Sequence, residues 1–201
     1  MEKESLESTR FRMIKTRHRT SFEKACEDGK ADALFIPFCK FVSKTKNYFT
    51  SSCCSGRILL LGLKGKKQNK KDSYFHFKSH EKVNFEDVWK ALHENTVGEL
   101  WFKAEPFILH IGTKNLVHAE KILNAMKNAG IKRGGIIVAK PGKFLIELMG
   151  TQGITLPVKK EKKILVSKEF FDLLVTCANK KLDKNLKQLK RTEKELKKVL
   201  K

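Results

Sequence analysis

With 201 residues, 40% of them hydrophobic and 32% charged, the chain has the material for one ordinary domain with a full core and the composition of a soluble globular protein. No run approaches the length and apolarity of a membrane span, the charged start Met1-Glu2-Lys3-Glu4 is unlike a secretory signal, and five cysteines without disulfide spacing fit a reducing cytoplasm. Forty-three basic against 22 acidic residues leave a net charge of +21, which favours a polyanionic partner: RNA, DNA or an anionic membrane surface.

Residues 1 to 20 carry Arg10, Arg12, Lys15, Arg17 and Arg19 with few apolar anchors, and read as a mobile or loosely docked basic arm before a single domain over 21–201. From Asp32 to Asn47, Leu34, Phe35, Phe38, Phe41 and Val42 fall at helical spacing, with Asp32 as N-cap and Pro37 tolerable only in the first turns. Tyr48 to Ser52 and Arg57 to Leu63 have strand character on either side of a Cys-Ser-Gly turn. Gly62 to Lys71 holds five lysines and two glycines and reads as a hairpin tip leading into the alternating segment Tyr74 to Ser79.

Asn84 starts a short helix through Trp89 and Leu92, and Glu99–Lys103 and Phe107–Ile111 read as paired strands around Glu105-Pro106. Asn115 caps a helix whose stripe is Leu116, Ala119, Leu123 and Met126, with Gly130 as its stop. Gly134–Ala139 and Lys143–Met149 form a hairpin turned at Pro141-Gly142, and Ile164–Val166 is a last short strand. A helix then runs from about 167 to 201; residues 180–201 carry ten Lys or Arg against three acids, making its distal half basic and amphipathic. Hairpins interleaved with helices predict an α+β fold on a mixed or antiparallel sheet with flanking helices and a long basic C-terminal helix, not a doubly wound Rossmann fold.

No G-x-G-x-x-G follows a strand and no G-x-x-x-x-G-K-[ST] loop occurs, so a dinucleotide fold and a P-loop are unsupported. Cys53-Cys54 and the scattered His76, His80 and His110 lack zinc-finger spacing, and no metal is expected. One string stands out: seven small residues, Thr50-Ser51-Ser52-Cys53-Cys54-Ser55-Gly56, running into Arg57. Small side chains leave the backbone open to a ligand, and the Arg57 guanidinium suits a carboxylate or phosphate. The same string also suits a tight surface turn. His110, within Glu105-Pro106-Phe107-Ile108-Leu109-His110, fits either a core histidine or a functional one, as do His80 and Glu147 more weakly.

The string Tyr48-Phe49-Thr50-Ser51-Ser52-Cys53-Cys54-Ser55-Gly56-Arg57-Ile58 resembles the signature of the tRNA wybutosine-synthesis methyltransferase family. The likeness continues in order through Ser79-His80, Glu105 to His110, Gly135-Ile136, Glu147-Leu148, Pro157-Val158, Leu165-Val166-Ser167 and Ala178-Asn179-Lys180-Lys181, over roughly residues 20 to 190. Cys53 stands where the family pattern has serine. The resemblance implies a non-Rossmann, archaeal or eukaryotic type of enzyme. Such an enzyme moves a methyl group from S-adenosylmethionine to ring nitrogen-4 of the tricyclic (4-demethylwyosine-type) base beside the anticodon of phenylalanine tRNA. It also implies that Ser52, Ser55, Gly56 and Arg57 hold the cofactor, and that His110, His80 and Glu105 compete for the role of base. Lys64, Lys66, Lys67, Lys70 and Lys71, with the C-terminal helix, are expected to contact the anticodon arm, with no membrane and no stable protein partner. The competing readings are a non-catalytic RNA-binding module, a membrane-surface protein and a thiol enzyme built on Cys54.

Overall fold

Residues 6–64 and 70–201 are described by a computed structural model. In chain order they form α1 (Leu6–Glu27), α2 (Ile36–Lys44), β1 (Tyr48–Cys54), β2 (Arg57–Leu63), β3 (Ser73–Ser79), α3 (Phe85–His93) and β4 (Glu99–Glu105). Then follow β5 (Ile108–Thr113), α4 (Leu116–Asn128), β6 (Arg133–Lys140), β7 (Lys143–Met149), β8 (Ile154–Lys160), β9 (Lys163–Ile164) and α5 (Lys168–Val199). The fold is α+β, and every strand pair in it is antiparallel. Contacts group the chain into two compact units. The first takes residues up to Ser55, Phe107–Thr151 and those from Lys187; the second takes Gly56–Pro106 and Gln152–Leu186.

The first unit is built on a four-stranded sheet in the order β1-β5-β7-β6. Alternation along β5 and β7 buries Leu109, Ile111, Ile146 and Leu148, as expected of strands with one face on a core. From α4, Ala119, Ile122 and Ala125 are buried. The Asn115 side chain accepts the His118 N–H at 3.1 Å to cap that helix, and Gly130, at φ 74°, ends it. The expected basic arm is instead a 22-residue helix. Phe11, Ile14, His18, Phe22 and Ala25 step along it at three- and four-residue intervals and none is exposed. Phe11 is buried, its ring 5.9 Å from Phe49 of β1.

The second unit holds the sheet β3-β2-β4-β8-β9. Its core joins Ile58, Leu60, Leu100, Phe102 and Val158 to Val88 and Leu92 of α3 and to Phe171, Val175, Ala178 and Leu182 of α5. Asn179 of α5 donates to the Val83 carbonyl at 2.9 Å and accepts the Val83 N–H at 3.0 Å, pinning the segment before α3. The buried Lys159 Nζ donates to the carbonyls of Leu92 and Glu94, at 2.9 and 2.6 Å, where α3 ends.

Several local expectations change. α2 starts at Ile36 with Phe35 at its N-cap, so Pro37 sits harmlessly in the first turn. β4 and β5 do not pair with each other: β4 lies between β2 and β8, and β5 between β1 and β7. The adjacent Pro106 has no N–H for a ladder. β8, absent from the sequence reading, accommodates Pro157 opposite Trp101 where the register shifts. Among the described residues no helix is long and apolar enough to cross a membrane.

Candidate functional site

The small-residue string does its local work through a bulge. β1 pairs with β5 regularly to Thr50↔Ile111, and pairing resumes at Cys53↔Leu109. Three steps along β1 therefore match two along β5, and the extra residue lifts exposed Ser51 and Ser52 out of the ladder. Both line a pocket of about 260 Å³ in the first unit. Its other walls are His18, Ser21, Phe22 and Ala25 of α1, the Lys30–Asp32 loop, and Phe35 and Cys39 at and in α2.

Asp32 organises the rim. One carboxylate oxygen accepts the Leu34 N–H at 3.2 Å, and the other accepts the N–H of buried Ser55 at 2.6 Å, fixing the chain as it leaves β1. The residue expected to cap a helix thus holds the end of a strand. His18 stacks on Phe49 with ring centroids 4.8 Å apart and planes 9° apart. Burial first, then the charges of Lys143 and Arg17, hold the His18 imidazole below its ordinary range and favour a neutral ring. Within the pocket Cys39 Sγ lies 3.7 Å from Cys53 Sγ. The hydrogen bond between the two draws the Cys39 thiol below its usual range, whereas that same bond, reinforced by burial, pushes Cys53 well above it.

The residues predicted from sequence separate into two groups. Ser52, Ser55 and His110 belong to the first unit; Gly56, Arg57, His80 and Glu105 belong to the second. His110 and Glu147 face each other across β5 and β7, with Nε2 and Oε2 2.8 Å apart. The main-chain N–H of His110 also hydrogen-bonds Cys53. Gly56 has φ 100°, a left-handed backbone natural only to glycine, and its carbonyl is 2.9 Å from His80 Nδ1. Arg57 already has a carboxylate partner. Its Nε is 2.7 Å from Glu105 Oε2 and its guanidinium lies 4.6 Å from the Phe75 ring centroid. Burial on its own raises Glu105, but the hydrogen bonds and charges of Lys103 and Arg57 outweigh it and hold the carboxyl below the usual range. That makes Glu105 a weak proton acceptor. Lys64 and Lys71 are exposed, while Lys66, Lys67 and the side chain of Lys70 lie outside the described residues.

The α1 contribution and the role of Asp32 escaped the sequence reading. The signal was the spacing of Phe11, Ile14, His18, Phe22 and Ala25, masked by the arginines and lysines between them.

A family model described as "Methyltransferase TYW3" matches residues 9–198. The chain belongs to this methyltransferase family. A Danio rerio relative named "tRNA wybutosine-synthesizing protein 3 homolog" is 34% identical over 165 residues, 81% of this chain and 65% of that protein, so the chain spans just under two thirds of its length. A Thermococcus kodakarensis relative, "tRNA(Phe) 7-((3-amino-3-carboxypropyl)-4-demethylwyosine(37)-N(4))-methyltransferase 1", is 32% identical over 178 residues, with 88% of each chain covered. The solved structure of PH1069 protein from Pyrococcus horikoshii superposes with a TM-score of 0.85 at 29% identity, covering 94% of this chain and 97% of that one. The family tie thus includes α1, which begins within three residues of the start of the match.

Proposed function

We propose that this chain is an S-adenosylmethionine-dependent tRNA methyltransferase that methylates ring nitrogen-4 of the tricyclic, demethylwyosine-type base next to the anticodon of phenylalanine tRNA, in the cytoplasm. The observation that carries the reading is the pocket at the β1 bulge, which gathers the unlike chemistries one such cofactor needs. His18, Phe22 and Phe35 offer flat walls for adenine; Asp32, Ser51 and Ser52 offer groups for a ribose diol and an amino group; Lys30, exposed and 2.8 Å from Asp28 Oδ2, would have to exchange that partner for the cofactor's carboxylate. The residues present therefore fit the cofactor, which supplies an electrophilic methyl on a sulfonium. The name and coverage of the Thermococcus relative support the substrate assignment.

The chain's own part is alignment and proton removal. Ser52 binds within the pocket, and Asp32, by holding Ser55, fixes the chain as it leaves β1. His110 takes the proton that the ring nitrogen sheds on methylation, and Glu147, at 2.8 Å, orients its imidazole and steadies the charge it gains. Arg57 and Glu105 act as a pair, each fixing the other's orientation.

Phenylalanine tRNA carrying either the demethylated tricyclic base or unmodified guanosine, incubated with labelled S-adenosylmethionine and digested for mass spectrometry, tests the proposal. A single methyl gain on the tricyclic base alone is expected. Tight RNA binding without a gain on either substrate makes the chain an RNA-binding module instead.

A further inference from the structure

A second hollow of the first unit, a cleft of about 560 Å³, lies along α1 away from the small-residue string. Six cations line it: Arg12, Lys15 and Arg19 on α1, Lys44 and Lys46 around the end of α2, and Lys114 before α4. Ser8, Thr16, Ser43, Thr45 and Asn47 fill the spaces, and among the described residues no carboxylate is part of the lining. Glu23, 3.7 Å from Arg19 one turn along α1, lies outside it.

Cations near a helix C-terminus are commonly there for the helix dipole. That accounts for Lys44 and Lys46 but not for three further cations on a different helix or for Lys114. Two of the cations are held in place. Lys15 Nζ donates to the Thr45 carbonyl, and Lys114 Nζ donates to Ser8 Oγ at 3.1 Å. Burial, then the charge of Arg19, lowers the Lys15 ammonium from its ordinary range. The concave shape disfavours a flat membrane, and the size exceeds that of one phosphate. The hydroxyls and Asn47 suit sugar hydroxyls, while Phe11, the lone ring of the lining, is buried and offers no platform for a base.

We infer that this cleft seats the sugar–phosphate backbone of the tRNA and positions it without reading its sequence. The inference rests on the tRNA substrate proposed above and adds a site distinct from the lysines of residues 64–71.

Binding of an unmodified phenylalanine tRNA transcript, measured across a range of salt, provides the test. The K44Q/K46Q/K114Q chain should bind about tenfold or more weakly, and its log–log salt slope should be shallower by about 2 to 3. The K132Q/K162Q/K163Q chain loses the same charge from exposed sites elsewhere and should retain most of the affinity. If transfer is measurable, KM for tRNA rises in the cleft variant while kcat and S-adenosylmethionine affinity hold. Should the triple variant misfold by circular dichroism, K46Q alone should lower the slope by about 1. Unchanged affinity and slope in the cleft variant, or equal losses in both triple variants, overturn the inference. If the wild type methylates no tRNA, the binding arms still decide the cleft, so the two proposals fail separately.

Discussion

Arg57 and Glu105 stand directly opposite each other on β2 and β4, their side chains joined at 2.7 Å and each about one quarter exposed. The pair lies between the surface bridge worth next to nothing and the buried one that cannot lose a partner. Arg57→Ala should therefore cost about 1–2 kcal/mol in urea unfolding at neutral pH. Glu105 is held below its ordinary 4.5, so its stabilisation is complete above the unfolded value and is lost as pH falls through the lower folded one. The gap in stability between wild type and Glu105→Gln should be widest at neutral pH and close as the pH drops below about 4.5. A gap that persists at acid pH would show that the charge contributes nothing.

His110 and Glu147 are proposed to work as base and orienting acid. His110→Ala should cut transfer on the tricyclic base about 100-fold or more while tRNA affinity stays within a factor of three. Glu147→Gln should cost less, about tenfold, by loosening the orientation of the imidazole. Full activity in His110→Ala would move the base role to His80.

The Cys39 and Cys53 thiols share one proton-rich contact at 3.7 Å. Thiolate ultraviolet absorbance of the wild type minus that of Cys39→Ser gives the titration of Cys39. Repeated in a Cys53→Ala background, the midpoint should rise, because the Cys39 sulfur loses its hydrogen-bond partner. Cys53→Ser keeps a donor and should preserve both the midpoint and cofactor affinity. An unmoved midpoint in Cys53→Ala means the contact has no electrostatic consequence.

Gly112 leaves room for the Phe49 ring, since a Cβ there would come 2.0 Å from Phe49 Cζ. Gly112→Ala must push aside the ring on which His18 stacks, and should lower stability by about 1–3 kcal/mol and weaken S-adenosylmethionine binding together. Loss of stability with unchanged cofactor affinity would detach the His18–Phe49 stack from the site.

Lys159→Met removes the ammonium that satisfies two carbonyls at the end of α3. Unfolding by urea should show a loss of about 2–3 kcal/mol. An unchanged midpoint would mean that water satisfies those carbonyls equally well.

Elements governed by neighbours in sequence were readable from the residues alone. Asn115 with Gly130 bounds α4, Gly142 turns β6 into β7 at φ 72°, and the leucine stripe marks α5. Each rests on an interaction spanning a turn or less, so its signal lies within a few residues. The family signature was equally visible, because it is a property of residue order.

Choice of partners was not. β4 pairs with β8 from fifty or more residues away rather than with the adjacent β5, and β8 hides behind Pro157 and its lysines until Trp101 is opposite. α1 is so charged that only its burial against Phe49 reveals an inner face. The sequence by itself determined the four helices after α1, the turns, the family and the excess of positive charge. Tertiary structure alone decided that Asp32 holds Ser55, that His110 meets Glu147, and that cations from three segments share one cleft. Each of those contacts joins residues well apart in the chain, and the cost of closing such loops is met only by the whole packed core, which no local pattern records.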